Sequence, residues 1–152
     1  MPLSKQSIRD DLTASMKARD SARTANLRML LAAIGNAEVA GKEHVELNDE
    51  RIVALIRSEV KKRTDTAVIY TDAGRAELAE KERAEAAMLS EYLPAEMSDD
   101  DLAAVVAAAV TASGQSGPSA MGAVMKAVRA AVGANADGAR VAAAVKAALT
   151  GS

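Results

Sequence analysis

Only two aromatic side chains, Tyr70 and Tyr92, occur in 152 residues; Phe and Trp are absent. A hydrophobic core must therefore be assembled from Leu, Ile, Val, Met and a large stock of Ala. Such side chains bury little area each, and burial returns about 25 cal/mol per Å². The expectation is moderate stability, lowest in the Ala-rich C-terminal part. No alternation of apolar and polar residues persists beyond a few positions, whereas apolar residues recur at helical spacing throughout. That pattern predicts an all-α fold.

Polar caps mark the helix starts, because a cap oxygen accepts from an otherwise unpaired N–H of the first turn. Ser4 opens a first helix to about Arg19, with Ile8, Leu12 and Met16 on one stripe. Asp20 opens a second, in which Leu27, Leu30, Leu31 and Ile34 recur and which Gly41 ends. After a polar connection, Asn48 opens a long third helix with Asp49 and Glu50 in its first turn, where carboxylates complement the helix dipole. Ile52, Leu55, Ile56 and Val60 begin its buried stripe; Val68, Ile69 and Tyr70 extend it to a stop at Gly74. A fourth helix from about Arg75 carries Leu78, Met88, Leu89 and Tyr92 and ends before Pro94.

Composition changes at Pro94. Of the 19 Lys and Arg residues, 15 precede it, and Ala dominates the remainder of the chain. The chain therefore reads as a larger N-terminal domain of about four helices, residues 1–94, and a small three-helix C-terminal domain, residues 95–152. Ser98-Asp-Asp-Asp101 has the form of a capping box with Asp in place of Glu and opens a fifth helix to about Ala112. A flexible loop comes next, 113–118. A sixth helix then runs from Ser119 to the break Gly133-Ala-Asn-Ala-Asp-Gly138, and a seventh, capped by Asp137, closes the chain. This small domain is electrically polarised. Glu96, Asp99, Asp100 and Asp101 have no base among residues 95–117, whereas Lys126, Arg129, Arg140 and Lys146 face Asp137 alone in 118–152.

The net charge of −2 excludes a generally basic coat but not a local patch. With no cysteine, disulfides and thiolate metal sites are ruled out, which suits a reducing cytosol. The longest apolar run, Leu102–Val110, has 9 residues, against roughly 20 for a membrane span. The N-terminus also lacks an apolar signal core. A soluble, cytoplasmic protein with no membrane contact is expected. Catalysis finds little support. His44 is the sole histidine and lies in a polar connection, so no His-paired nucleophile or multi-His metal site can form within one chain. Glu77, Glu80, Glu82 and Glu85 alternate with Lys81 and Arg83, unlike the Glu-x-x-His repeats of helical di-metal sites. Gly114-Gln-Ser-Gly117 lacks the lysine of a phosphate loop. No catalytic residue, cofactor or metal is assigned.

Several segments in fixed order resemble the YqeY proteins: Leu27-Arg-Met-Leu-Leu-Ala-Ala-Ile34 with Asn36-Ala-Glu38, the stretch Val60–Glu82, Glu91-Tyr-Leu-Pro94, Met121-Gly-Ala-Val-Met125 and Ala136-Asp-Gly138. The resemblance covers essentially the whole chain. That family is in turn similar to the tail domain of GatB, a subunit of the tRNA-dependent amidotransferase, and related tails are attached to some glutaminyl-tRNA synthetases. The resemblance implies a helical fold of a larger and a smaller unit, and tRNA binding as the function of the smaller one. A carbon–nitrogen ligase activity, with glutamine as amido donor, would belong to the complex that GatB serves and to a separate catalytic subunit. Where the family's final turn reads Gly-Arg-Ala-Asp-Gly, this chain has Asn135 in place of the Arg, which removes a guanidinium from that turn.

The residues make their own case for RNA. Lys126, Arg129, Arg140 and Lys146 flank a turn bearing Gly133 and Gly138, where backbone can approach a partner closely, and the start of the last helix offers N–H groups to an anion. Without aromatics, recognition must use shape and phosphates, since base stacking needs rings. The plainer reading is that four bases keep an Ala-rich hairpin soluble. Arg57, Lys61, Lys62 and Arg63 form a second basic cluster on the third helix, read first as a solvated face in which Lys61 pairs with Asp65, and otherwise as an RNA or partner contact. Met121 and Met125, in line with Val128 and Val132, read as core. The alternatives to tRNA binding are a protein–protein adaptor docking on the translation machinery and an amidotransferase-associated component that needs a separate catalytic subunit.

Overall fold

The cap residues perform as the sequence predicts. In the computed structural model, which describes residues 3–150, Ser4 accepts from the Ser7 N–H and Ser7 reciprocates, closing a capping box at the start of α1, Lys5–Lys17. Asp20 accepts from Arg23 at the start of α2, Ser21–Glu38, and Asn48 from Arg51 at the start of α3, Asp49–Asp72. Helix α4 spans Ala76–Ser90 with no side-chain cap. Ser98 accepts from Asp101 at the start of α5, Asp99–Ser113. A 3₁₀ turn, Pro118–Ala120, leads into α6, Met121–Val132. A second, Gly133–Asn135, precedes α7, Gly138–Thr150, where the Asp137 Oδ1 accepts from Arg140 at 2.8 Å. Among the described residues there is no strand, so the all-α expectation holds.

The chain divides into two compact units at Leu93–Pro94. In the N-terminal unit, α1 packs on α2 and α3 on α4, and the two pairs meet over Ile8, Leu27, Leu30, Ile34, Ile52, Ile56 and Leu89. These are aliphatic residues throughout, as the shortage of rings requires. Polar ties supplement them. Ser15 donates to the Leu12 carbonyl and so must accept from Thr24, 2.9 Å away between α1 and α2. The Tyr92 hydroxyl donates to Asp11; burial first, then that bond, pushes the phenol's pKa well above its ordinary value.

Three local expectations change. Helix α1 stops at Lys17 because Arg19 adopts φ +58, a left-handed conformation usually left to glycine. The Asp20 N–H then closes on the Ser15 carbonyl at 3.0 Å. Gly74, φ +73, does the same after α3, with Arg75 N–H bonded to the Tyr70 carbonyl at 2.8 Å. Met16 is exposed. Helix α2 ends at Glu38, three residues short of Gly41. Glu38 itself is buried, takes an ion pair from Lys5 and accepts the Leu47 N–H at 3.3 Å, so it fastens the connection after α2 back toward α1.

The third change concerns α3. Val68 and Ile69 are 53% and 65% exposed, and Leu78 on α4 is also exposed. The buried face of α3 beyond Ile56 runs instead through Arg63 and Ala67, opposite Ala79 and Ala86 of α4. Arg63, paired with Glu85 of α4, and the small alanines take up that face, which leaves Val68 and Ile69 on the outer side of α3.

In the C-terminal unit, α5, α6 and α7 enclose Leu102 and Val106, then Val124, Val128 and Val132, then Val141, Val145 and Leu149. Each helix contributes one residue per turn, so the core is a stack of single small side chains. Met121 and Met125 pack against its edge, as core rather than as an open groove.

Glu38 sets a pH dependence. The hydrogen bond from Lys5 holds its carboxyl below the ordinary range, assisted by the Leu47 N–H and opposed by burial. The unfolded chain therefore binds a proton more readily, and stability from this group is present above the ordinary carboxylate pKa, about 4.3, and lost as pH falls through the lower folded value. Glu38→Gln should flatten the acid limb of a thermal-melt series below about pH 4.5 while lowering stability at neutral pH. An unchanged acid limb would exclude this role.

Candidate RNA-facing surface

The four C-terminal cations do not form one set. Lys126 and Arg129 lie one turn apart on α6, away from the buried Val124, Val128 and Val132, and both are exposed. The Arg129 Nη2 lies 3.8 Å from where a Cβ on Gly138 would stand, so its guanidinium reaches over the start of α7. Arg140 turns the other way. Its Nη2 donates to the Met97 carbonyl and to Asp99 Oδ1, both at 2.8 Å, and Nη1 is 3.8 Å from Glu96. The Asp99 bond is the main reason its pKa is raised above the ordinary guanidinium value, although partial desolvation opposes it. Lys146, six residues on, points about 120° around α7 from Arg140 and hence away from that acidic segment; it is exposed. Among the described residues none of Lys126, Arg129 and Lys146 forms an ion pair.

Of the four, Arg140 is committed to Met97 and Asp99, whereas Lys126, Arg129 and Lys146 are exposed. Arg140 is a structural tie. The Met97 N–H donates to the Asn135 carbonyl at 2.7 Å while the Met97 carbonyl accepts from Arg140, so one residue before α5 is stitched to both sides of the α6–α7 turn. Asn135 serves here through its backbone. The four acids before and at the start of α5, with no base of their own, were the sequence signal that a distant cation would be needed. Gly133 has φ +52 and ends α6, whereas Gly138 has no positive φ. The anion-binding expectation at the start of α7 also weakens, because the Asp137 carboxylate already occupies the Arg140 N–H.

The second basic cluster is mostly neutralised. Lys61 pairs with Asp65 at 2.8 Å, as its spacing predicts, and Lys62 with Glu59 at 3.3 Å. Arg57 is half-buried. Arg63 is not on a solvated face at all: it is 6% exposed, with Nη1 2.9 Å from Glu59 Oε2 and Nε 3.4 Å from Glu85 Oε2. Burial, the largest effect on Glu59, pushes its carboxyl up, but the hydrogen bonds from Arg63 and Lys62 bring it below the ordinary value. Arg63 falls seven residues after Ile56 and four before Ala67, on the helical stripe itself. Its spacing could have identified it as buried.

His44 lies exposed in the connection between α2 and α3. No helix among the described residues is long and apolar enough to cross a membrane, and none of their His, Asp and Glu side chains gather into a group of three that could hold a metal.

With two helical units and these ties in place, family comparison is decisive. The model of the Yqey-like protein family matches residues 5–149, from the first residue of α1 to the last buried leucine of α7. The chain belongs to that family. No curated protein matches this YqeY-like chain. The family match therefore spans both units.

Two substitutions separate tie from surface. Arg63→Ala leaves Glu59 and Glu85 facing each other across α3 and α4 and should destabilise the N-terminal unit by about 3 kcal/mol, the lower end for breaking a buried pair because both carboxylates keep some solvent; denaturant unfolding measures it. Arg140→Ala should accelerate hydrogen exchange at the Met97 and Arg140 amides and lower the melting temperature of the C-terminal unit, while Lys146→Ala leaves both unchanged. Equal effects from the two would contradict the division.

Proposed function

We propose that this YqeY-like chain is a non-catalytic accessory protein whose C-terminal unit binds tRNA through Lys126, Arg129 and Lys146. The observation that carries the reading is that these three cations stay exposed and without ion pairs in a segment whose one acid, Asp137, is committed to a helix cap. Most other bases of the two candidate clusters have a carboxylate. The GatB-tail resemblance supplies the choice of tRNA among nucleic acids. Contact is with phosphates and RNA shape, because the unit has no aromatic ring for stacking. Gly138 beneath the Arg129 guanidinium keeps the surface low at the point of approach.

Three phosphate contacts on a duplex-like partner imply a log–log salt slope of about −3, so binding is weak and falls steeply between low and physiological salt. A tRNA gel shift across a salt series should give that slope. The combined Lys126→Glu, Arg129→Glu and Lys146→Glu variant should abolish the shift with folding intact, since none of the three holds the unit together. Retention of tRNA by the triple variant rules the reading out.

The exposed Val68 and Ile69 on α3 favour a second reading, a protein–protein adaptor. It predicts salt-tolerant capture of one translation protein, lost on Val68→Asp with Ile69→Asp and indifferent to the C-terminal charge reversals.

A further inference from the structure

A groove of about 450 Å³ lies between α2 and α4 in the N-terminal unit. Its sides are Ala25 and Met29 of α2 and Ala84 and Met88 of α4. The volume is within the range of small-ligand clefts, which are mainly apolar with a few placed polar groups. Here the placed group is Asn26. Its Nδ2 crosses from α2 to the Glu85 carbonyl of α4 at 3.1 Å and lies 3.4 Å from the Met88 sulfur, so the side chain bridges the two walls as a floor. The carbonyl partner fixes which end of the amide is nitrogen. The other end, Oδ1, is buried and accepts no hydrogen bond, in a residue only 2% exposed. Buried side-chain acceptors are almost always satisfied. This one asks for an N–H or O–H donor.

The charges around the groove are also unequal. Arg23 is paired with Glu91, Glu85 with Arg63, and Asp20 caps α2. Lys81, one turn before Glu85 on α4, is exposed and forms no ion pair among the described residues. The site therefore offers an apolar slot, lined by a side chain whose buried acceptor is unfilled and by a cation without an ion pair. Met29, more than half exposed, and Met88 are unbranched and can swing to admit a ligand to the buried oxygen.

We infer that this groove binds a small aliphatic acid with an N–H next to its carboxylate, the chemical class being the N-acyl aliphatic amino acids. The N–H donates to Asn26 Oδ1, the carboxylate meets Lys81, and the aliphatic side chain lies between the two methionines. The site belongs to the N-terminal unit and is independent of the RNA reading.

The test is titration of the full chain with N-acetyl-leucine, followed by amide NMR shifts. Saturable shifts confined to residues 22–29 and 81–88, with a Kd of about 1 mM or tighter, are expected. The methyl ester, which lacks the charge, and the N-methyl analogue, which lacks the donor, should each bind about fivefold or more weakly, as should the Lys81→Glu variant. Ala84→Leu, at an exposed position of α4, should fill the slot and abolish binding with the melting curve unchanged. No saturable shift by about 10 mM overturns the inference. So does binding of the ester and the N-methyl analogue as tightly as the parent acid. A C-terminally amidated leucine peptide binding as tightly as the acid overturns it in favour of a protein ligand.

Discussion

The structure depends on how a core without rings holds helices together. Ile, Leu, Val and Ala supply burial but no directional contact, and alanine in particular lets helices slide. Directional contacts come from polar side chains placed between elements: Ser15 with Thr24, Lys5 with Glu38, Tyr92 with Asp11, Arg63 with Glu59 and Glu85, and Arg140 with Met97 and Asp99. A buried acceptor or cation is expensive when alone and tolerable when matched, so each tie fixes a register as well as adding some stability. The helices pack where the aliphatic stripes meet, and the ties decide which turn meets which.

This arrangement explains why charges that look alike in the sequence have different roles. Arg63 and Lys62 are adjacent, yet one is enclosed between α3 and α4 while the other is solvated. Arg140 and Lys146 share α7, yet one anchors the start of α5 and the other is exposed without a partner. Charge alone does not mark a recognition surface; charge left over after the internal ties are satisfied does. By that criterion the C-terminal unit retains three cations and the third helix retains few.

Much of the fold was legible because helix starts are chemical signals. Ser4, Asp20, Asn48, Ser98 and Asp137 each accept the backbone N–H three residues on, and that needs only local sequence. The aliphatic stripe of α2 was equally plain. What could not be read locally was the partner of each buried side chain. Val68 and Ile69 fit a helical period, but the period does not say which face the alanines of α4 will claim. The commitment of Arg140 to Asp99 spans 41 residues, beyond any pattern of spacing, and divided the candidate site. The groove over Asn26 arises where α2 meets α4, so no stretch of either helix announces it.

The left-handed Arg19 bears on the order in which the N-terminal unit comes apart. Helix α1 joins α2 through a turn that carries backbone strain at a residue with a Cβ, and Ile8, Leu12, the Ser15–Thr24 pair, the Lys5–Glu38 pair, the Tyr92 bond and the Arg28–Met16 contact hold it in place. The α1–α2 pair is packed along its length, whereas α2 meets α3 and α4 only thinly, so the seam between the two helix pairs is the weaker one. The strained residue therefore sits within a helix pair rather than at that seam, where the close packing of α1 on α2 holds it.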